Sequence, residues 1–179
     1  MQQQFKIGKL IFDNPILNAS GCWCLNEKQL DELYSSNLSG VICKTCSIFS
    51  KEGNPEPNYY YDEDTSTHFN CKGLPNLGYQ YYINLTKKYN AKPYIISLAF
   101  ENYEHLKIVI NDYDKYVNYD VLMEINLSCP NLCAQIPGYD VMSIKNLLNC
   151  LKGYEAKNIK FGLKFLVDLA LVNIKVCLT

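Results

Sequence analysis

The stretch Val121-Leu-Met-Glu-Ile-Asn-Leu-Ser-Cys-Pro-Asn131 begins as an apolar run and ends as a polar loop. Read with its neighbours, it decides the fold. Val121 to Asn126 is short enough for a buried strand. The flanking stretches, Tyr103 to Tyr116 and Val141 to Lys152, are longer and amphipathic. Beyond them lie two more apolar runs, Tyr94 to Ala99 and Ile159 to Phe165. Strand, helix, strand, helix, strand is the pattern of βα units on a parallel sheet, so the fold class is α/β.

Working outward, the upstream part predicts a hairpin at Phe5 to Phe12 and a first strand at Ile16 to Ala19. A helix from Asn26 to Tyr34 follows, with Asn26 suited to its N-cap, and then a second strand at Gly40 to Lys44. A segment rich in Pro, Gly and Tyr runs from Thr45 to Leu77 before a helix near Gly78 to Tyr89. Its length, about thirty residues without clear periodicity, is too great for a plain connection. Downstream, Asp168 to Thr179 begins another amphipathic stretch. No repeat, linker or low-complexity tract divides the chain, so residues 1–179 are expected to form one domain.

Composition narrows the function. Of 179 residues, 48% are hydrophobic and 20% charged, which suits a folded domain with a real core. Seventeen Lys and Arg against eighteen Asp and Glu leave a net charge of -1, without the basic surplus that nucleic acid or an anionic membrane would require. The start, MQQQFKIGKL, lacks the apolar core of a secretory signal, and no apolar run could span a bilayer. A soluble, cytoplasmic protein is expected. The nine cysteines are odd in number, do not form paired CxxC units, and have only His68 and His105 as histidine company. Reduced thiols are therefore expected in preference to zinc or a disulfide framework.

Unusual residues fall just after predicted strands, at the edge where parallel sheets and barrels place ligands. They are Asn18-Ala-Ser-Gly-Cys22, Lys44-Thr-Cys46, Asn126-Leu-Ser-Cys-Pro-Asn131 and Lys164, with Asn70-Cys-Lys-Gly-Leu-Pro-Asn-Leu-Gly78 in the long second loop. Each also has a plainer reading. Ser20 and Gly21 would suit a tight turn, Lys44 and Lys164 would suit a snorkelling surface, and Cys129 would suit an inert buried thiol.

Taken together, the strings Asn18-Ala-Ser-Gly21, Lys44-Thr-Cys-Ser47, Gly53-Asn-Pro-Glu-Pro57, Gly73-Leu-Pro-Asn-Leu-Gly78 and Glu124-Ile-Asn-Leu-Ser-Cys-Pro-Asn131 resemble, in order and spacing, the dihydroorotate dehydrogenase family, specifically its soluble class 1A. The resemblance covers Phe5 to Asp168. It implies a (β/α)8 barrel, of which about the first five βα units are present here, holding FMN at the top of the strands. It also implies oxidation of dihydroorotate to orotate in pyrimidine (UMP) biosynthesis, with fumarate as electron acceptor and a homodimer as assembly. Carried over by residue, it assigns Ala19, Ser20, Gly21, Lys44, Thr45, Asn126 and Lys164 to the flavin. Lys44, Asn70, Gly73, Leu74, Asn126 and Asn131 go to the substrate, and Cys129 is the catalytic base.

Those residue types fit that chemistry. Oxidising dihydroorotate removes a proton from C5 and a hydride from C6. A cysteine, with a free pKa of about 8.5, needs only modest thiolate stabilisation to act as the base. A lysine near the flavin would stabilise the reduced ring, and asparagines offer a pyrimidine both donor and acceptor.

The sequence also departs from the family pattern. The loop that usually reads Asn-Ser-Met-Gly-Leu-Pro is Asn70-Cys-Lys-Gly-Leu-Pro75, placing Lys72 where an apolar side chain contacts ligand. Asn58 stands where an arginine is usual. Cys133-Ala-Gln-Ile-Pro137 replaces a Pro-Gly-Lys-Pro lid, and Phe165-Leu-Val167 replaces Pro-Pro-Tyr. A barrel of this kind takes about 250 residues and holds phosphate on its last strands. The chain is thus expected to be an amino-terminal part truncated after strand five, binding FMN weakly or not at all by itself and inactive alone. Two other readings stay open: a non-catalytic remnant of the enzyme, and another pyrimidine-metabolising barrel flavoenzyme with a similar Asn-Leu-Ser-Cys-Pro string.

Overall fold

The computed structural model describes residues 4–7, 10–116, 121–129, 131, 138, 140–154 and 159–165. In chain order the elements are β1 (Phe5–Ile7), β2 (Leu10–Phe12), α1 (Glu27–Tyr34), β3 (Val41–Ile42), β4 (Tyr59–Asp62), β5 (Thr67–Asn70) and α2 (Tyr79–Leu85). They continue with β6 (Tyr94–Leu98), α3 (Tyr103–Tyr116), β7 (Val121–Asn126), α4 (Val141–Lys152) and β8 (Ile159–Lys164).

The centre is a four-stranded sheet in the order β3-β6-β7-β8, and every pairing in it is parallel. Parallel neighbours need crossovers, and α3 and α4 supply them between successive strands. The helices form where the 3.6-residue period places apolar residues on one side. Leu106, Val109, Ile110 and Tyr113 are the buried residues of α3, and Ile144, Leu147 and Leu151 those of α4. Capping fixes the starts. Asn26 accepts from Gln29 N, and Asp140 accepts from Met142 N and Ser143 N. No helix among the described residues is long and apolar enough to cross a membrane.

The two faces of the sheet carry different cores. Ile96, Leu98, Met123 and Ile125 belong to one large cluster with the buried residues of α2, α3 and α4. On the other face Ile42, Ile95 and Leu122 cluster with Phe12 from the β1–β2 hairpin. That hairpin therefore fills the inner face at the amino-terminal halves of the strands and leaves the carboxyl halves to other side chains.

Four expectations differ from the structure. The first strand, expected at Ile16 to Ala19, is reduced to one parallel bridge, Leu17 to Gly40. Its ladder is replaced by a side chain: Asn18 Oδ1 accepts from Ile42 N at 2.8 Å and Asn18 Nδ2 donates to Ile42 O at 2.7 Å. The sheet is also open. Four strands pair in it among the described residues, so neither a closed barrel nor five complete βα units is present there. The segment Thr45 to Leu77, read as irregular, contains the antiparallel hairpin β4–β5, with Tyr60 opposite Phe69 and Tyr61 opposite His68. Aromatic and threonine residues favour such pairing. The α2 helix is shorter than its expected span, ending at Leu85. The stretch 168–179, the lid 133–137 and Val167 lie outside the described residues.

Candidate active site

At the carboxyl halves of β6, β7 and β8 the inner face turns polar. Along β7 the residues after Leu122 on this face are Glu124 and Asn126, because side chains alternate across a strand. Register then sets their neighbours: Ser97 of β6 and Gly162 of β8 lie opposite Glu124, and Lys164 lies opposite Asn126.

A hydrogen-bond network joins these positions to the loops after the first two strand regions. Ser97 Oγ donates to Glu124 Oε1 at 2.6 Å and Ser20 Oγ donates to the same oxygen at 3.1 Å. Thr45 Oγ1 donates to Ser20 Oγ at 3.0 Å and lies 2.9 Å from Ser97 Oγ, and Asn126 Nδ2 donates to Thr45 Oγ1 at 3.1 Å. Lys164 Nζ donates to Ser20 Oγ at 2.9 Å and stands 3.6 Å from Glu124 Oε1. Ser20, Thr45, Ser97 and Asn126 are all buried, so their polarity has to be satisfied within this cluster. The backbone fixes the loops, with Thr45 N donating to Ser20 O and Cys46 N to Ser97 O.

Lys44 adds a second cation. It is half-buried, and among the described residues its ammonium makes no hydrogen bond or ion pair. Burial pulls its pKa below the ordinary lysine range, opposed by the neighbouring thiols of Cys24 and Cys129. The reciprocal effect falls on Cys24, whose thiol burial pushes up to about 11 despite the nearby Lys44 charge. Cys24 is thus a neutral thiol, donating to the carbonyls of Ala19 and Gly21. Gly21 itself borders open space, since a Cβ there would meet nothing within 4 Å. No group of three or more His, Cys, Asp or Glu among the described residues could hold a metal ion.

Cys129 follows β7 in a loop shaped by Asn126, whose Oδ1 accepts from Ser128 N at 3.1 Å and Ser128 Oγ at 2.7 Å. Its thiol is nearly covered, clusters with Leu74 and Ala99, and has Asn131 Nδ2 3.9 Å from Sγ. Leu74 reaches this cluster from the long excursion. There Gly73 has a φ of +73°, and any Cβ would strike Asn54. Only glycine allows the two strands of this loop to cross so closely. Asn54 N donates to Lys72 O at 3.0 Å, locking the crossing.

The structure thus brings together Ser20, Thr45, Asn126 and Lys164 by hydrogen bonds, Leu74, Cys129 and Asn131 by contact, and Lys44 by its charge. Ala19 and Gly21 border the group through their carbonyls. Asn70 is not joined to this network; it is exposed at the end of β5, opposite Tyr59. Two residues that depart from the family pattern meet each other, for Lys72 Nζ donates to Asn58 Oδ1 at 2.8 Å and lies over the Tyr59 ring. Sequence reasoning missed Glu124 and Ser97 as site residues. The available signal was a carboxylate within an otherwise apolar strand. A groove between α4 and β8, lined by Leu148, Asn149, Leu151, Lys152 and Phe161, contains none of the candidate residues and is the open flank of the sheet's edge strand.

Comparison with known proteins identifies the family. A family model described as dihydroorotate dehydrogenase matches residues 2–158. A Streptococcus uberis protein bearing the name dihydroorotate dehydrogenase A (fumarate) is 34% identical over 155 residues, covering 82% of this chain and 48% of its own length. Dihydroorotate dehydrogenase (fumarate) of Lachancea kluyveri is 35% identical over 148 residues, covering 76% of this chain and 45% of its own. The chain spans about half the length of the curated relatives it matches. With 157 of its positions matched by the family model and a third of the aligned residues identical in relatives this distant from one another, the chain belongs to the dihydroorotate dehydrogenase family.

Proposed function

We propose that residues 1–179 are one domain, the amino-terminal part of a (β/α)8 barrel that binds FMN and oxidises dihydroorotate to orotate in pyrimidine biosynthesis. The observation that carries this reading is the convergence of Ser20, Lys44, Thr45, Asn126, Cys129 and Lys164 at the carboxyl edge of one parallel sheet. The names of the relatives favour fumarate as electron acceptor. A cytoplasmic homodimer belongs to the same reading.

The residues present fit a flavin ring. Lys44 is a half-buried cation without a hydrogen-bonding partner among the described residues, and open space lies beside Gly21. An electron-rich ring edge would satisfy the one and occupy the other. Ser20, Thr45, Lys44 and Lys164 would hold FMN, and bound FMN supplies the acceptor for the hydride leaving C6 of dihydroorotate.

Cys129 Sγ, as thiolate, takes the proton from C5. Burial beside Leu74 and Ala99 keeps water from competing for that proton. Asn131 Nδ2 faces the sulfur, and Asn126 retains one amide hydrogen beyond its bond to Thr45, while Ser128 takes both lone-pair directions of its Oδ1. Lys44 and its charge hold the anionic substrate at this edge.

The test is anaerobic addition of dihydroorotate to an FMN-loaded barrel of family length that carries this sequence. Flavin absorbance should bleach and orotate should form in equal amount. A protein that binds FMN but neither bleaches nor makes orotate would overturn the reaction.

A further inference from the structure

Glu124 is the least expected residue on the inner face. Its side chain is 16% exposed, it sits mid-strand one alternation above apolar Leu122, and a carboxylate there is costly to desolvate unless it is paired. An apolar residue of similar volume would normally be the more stable choice. Its partners explain what the carboxylate does. Ser97 and Ser20 both donate to Oε1, and Lys164 Nζ lies 3.6 Å from the same oxygen while donating to Ser20. Glycine stands opposite Glu124 on β8, so the cation nearest to it on that strand is Lys164, in the next inward-facing row. Ser20 is held from both sides, by Lys164 as donor and by Glu124 as acceptor.

We propose that Glu124 is a positioning residue that acts through Lys164. Its carboxylate anchors the lysine ammonium against Ser20 and cancels part of the charge that Lys164 presents to a ring bound at this edge. The consequence for binding rests on the flavin reading above. With Glu124 in place, the preference of the site for reduced over oxidised FMN is restrained. With the carboxylate neutralised, the full lysine charge acts on the electron-rich reduced ring, and the preference rises.

Glu124→Gln separates charge from shape, because the amide can still accept from Ser97 and Ser20. Two measurements decide the role. The first needs no flavin: acylation of Lys164 by a dilute succinimidyl ester, followed by peptide mass spectrometry with exposed Lys115 as internal reference. In the unsubstituted chain Lys164 should label slowly, and in Glu124→Gln it should label several-fold faster. The second is the ratio of FMN dissociation constants, oxidised over reduced, from anaerobic titration of a barrel of family length that carries this sequence. That ratio should rise about tenfold in Glu124→Gln, equivalent to about 30 mV for a two-electron couple. It should not change when the substitution is made in a Lys164→Gln background. Unchanged Lys164 labelling in Glu124→Gln overturns the positioning role. A ratio that stays within twofold, or that still shifts without Lys164, overturns action through the lysine. If FMN does not bind at all, the flavin reading fails, while faster labelling of Lys164 would still uphold the Glu124–Lys164 anchoring.

Discussion

The two faces of the central sheet are built from the same strands and follow different rules. On β7, Met123 and Ile125 point to a dry cluster of aliphatic and tyrosine side chains, while Glu124 and Asn126 point to a network of hydroxyls, amide and ammonium. A one-residue step along the strand crosses from one regime to the other. The outer face obtains stability from burial, at about 25 cal/mol per Å² of apolar surface. The inner face gives some of that up, burying polar groups that only just satisfy each other. Stability and chemistry are separated by the pleat rather than by distance along the chain.

Substitutions should respect that division. The largest effect is expected at Cys129: in an FMN-loaded barrel of family length, Cys129→Ala should slow turnover by about 10²- to 10⁴-fold, as loss of a general base does, and leave flavin bound. Steady-state rates with dihydroorotate check this. A variant with near-normal rates would make Cys129 a packing residue and erase the distinction at that position. On the outer face Ile96, fully buried in β6, should behave in the opposite way. Ile96→Ala should cost about 2–5 kcal/mol in urea unfolding by leaving a cavity. A loss below about 1 kcal/mol would mean that the outer core is loosely packed.

The smallest effect concerns a polar contact at the rim of the outer face. The Tyr79 hydroxyl donates to Asp112 at 2.7 Å and, with a lesser contribution from Lys115, holds that carboxyl below its ordinary range. A carboxylate with a depressed folded pKa stabilises above its unfolded value of about 3.9 and loses that contribution as pH falls through the folded value. Tyr79→Phe should therefore lower stability by at most about 1 kcal/mol near pH 6, since Asp112 lies at the rim, half-buried and still open to solvent. The difference from the unsubstituted chain should shrink to nothing as pH falls through the folded value. Urea midpoints across that range would show it, and a gap that persists in acid would assign the effect to packing of the ring.

Much of the outer face was legible in the sequence, because periodicity reports burial. The helices Tyr103 to Tyr116 and Val141 to Lys152 and the strand Val121 to Asn126 occur where their patterns predict them. The first strand did not form as read, since Asn18 uses its side chain to occupy the backbone groups of Ile42, a substitution that no periodicity reports. The β4–β5 hairpin was hidden because tyrosines on both of its faces are exposed, leaving no alternation to read. At the site, Ser20, Thr45, Asn126 and Lys164 were legible one by one from their places after strands. Glu124 was not, because its meaning lies in partners more than a hundred residues apart in the chain: Ser20 at one end and Lys164 at the other are brought to one oxygen only by the parallel register.

The division between the faces is tested most directly by titrating FMN into three versions of a barrel of family length that carries this sequence and following flavin fluorescence: unsubstituted, Lys44→Met on the inner face, and Ile144→Val on the outer. Saturable quenching is expected for the unsubstituted barrel and, undiminished, for Ile144→Val, with a loss of at least tenfold in affinity for Lys44→Met. No quenching by the unsubstituted barrel, or equal losses in both variants, would contradict a flavin edge on the inner face.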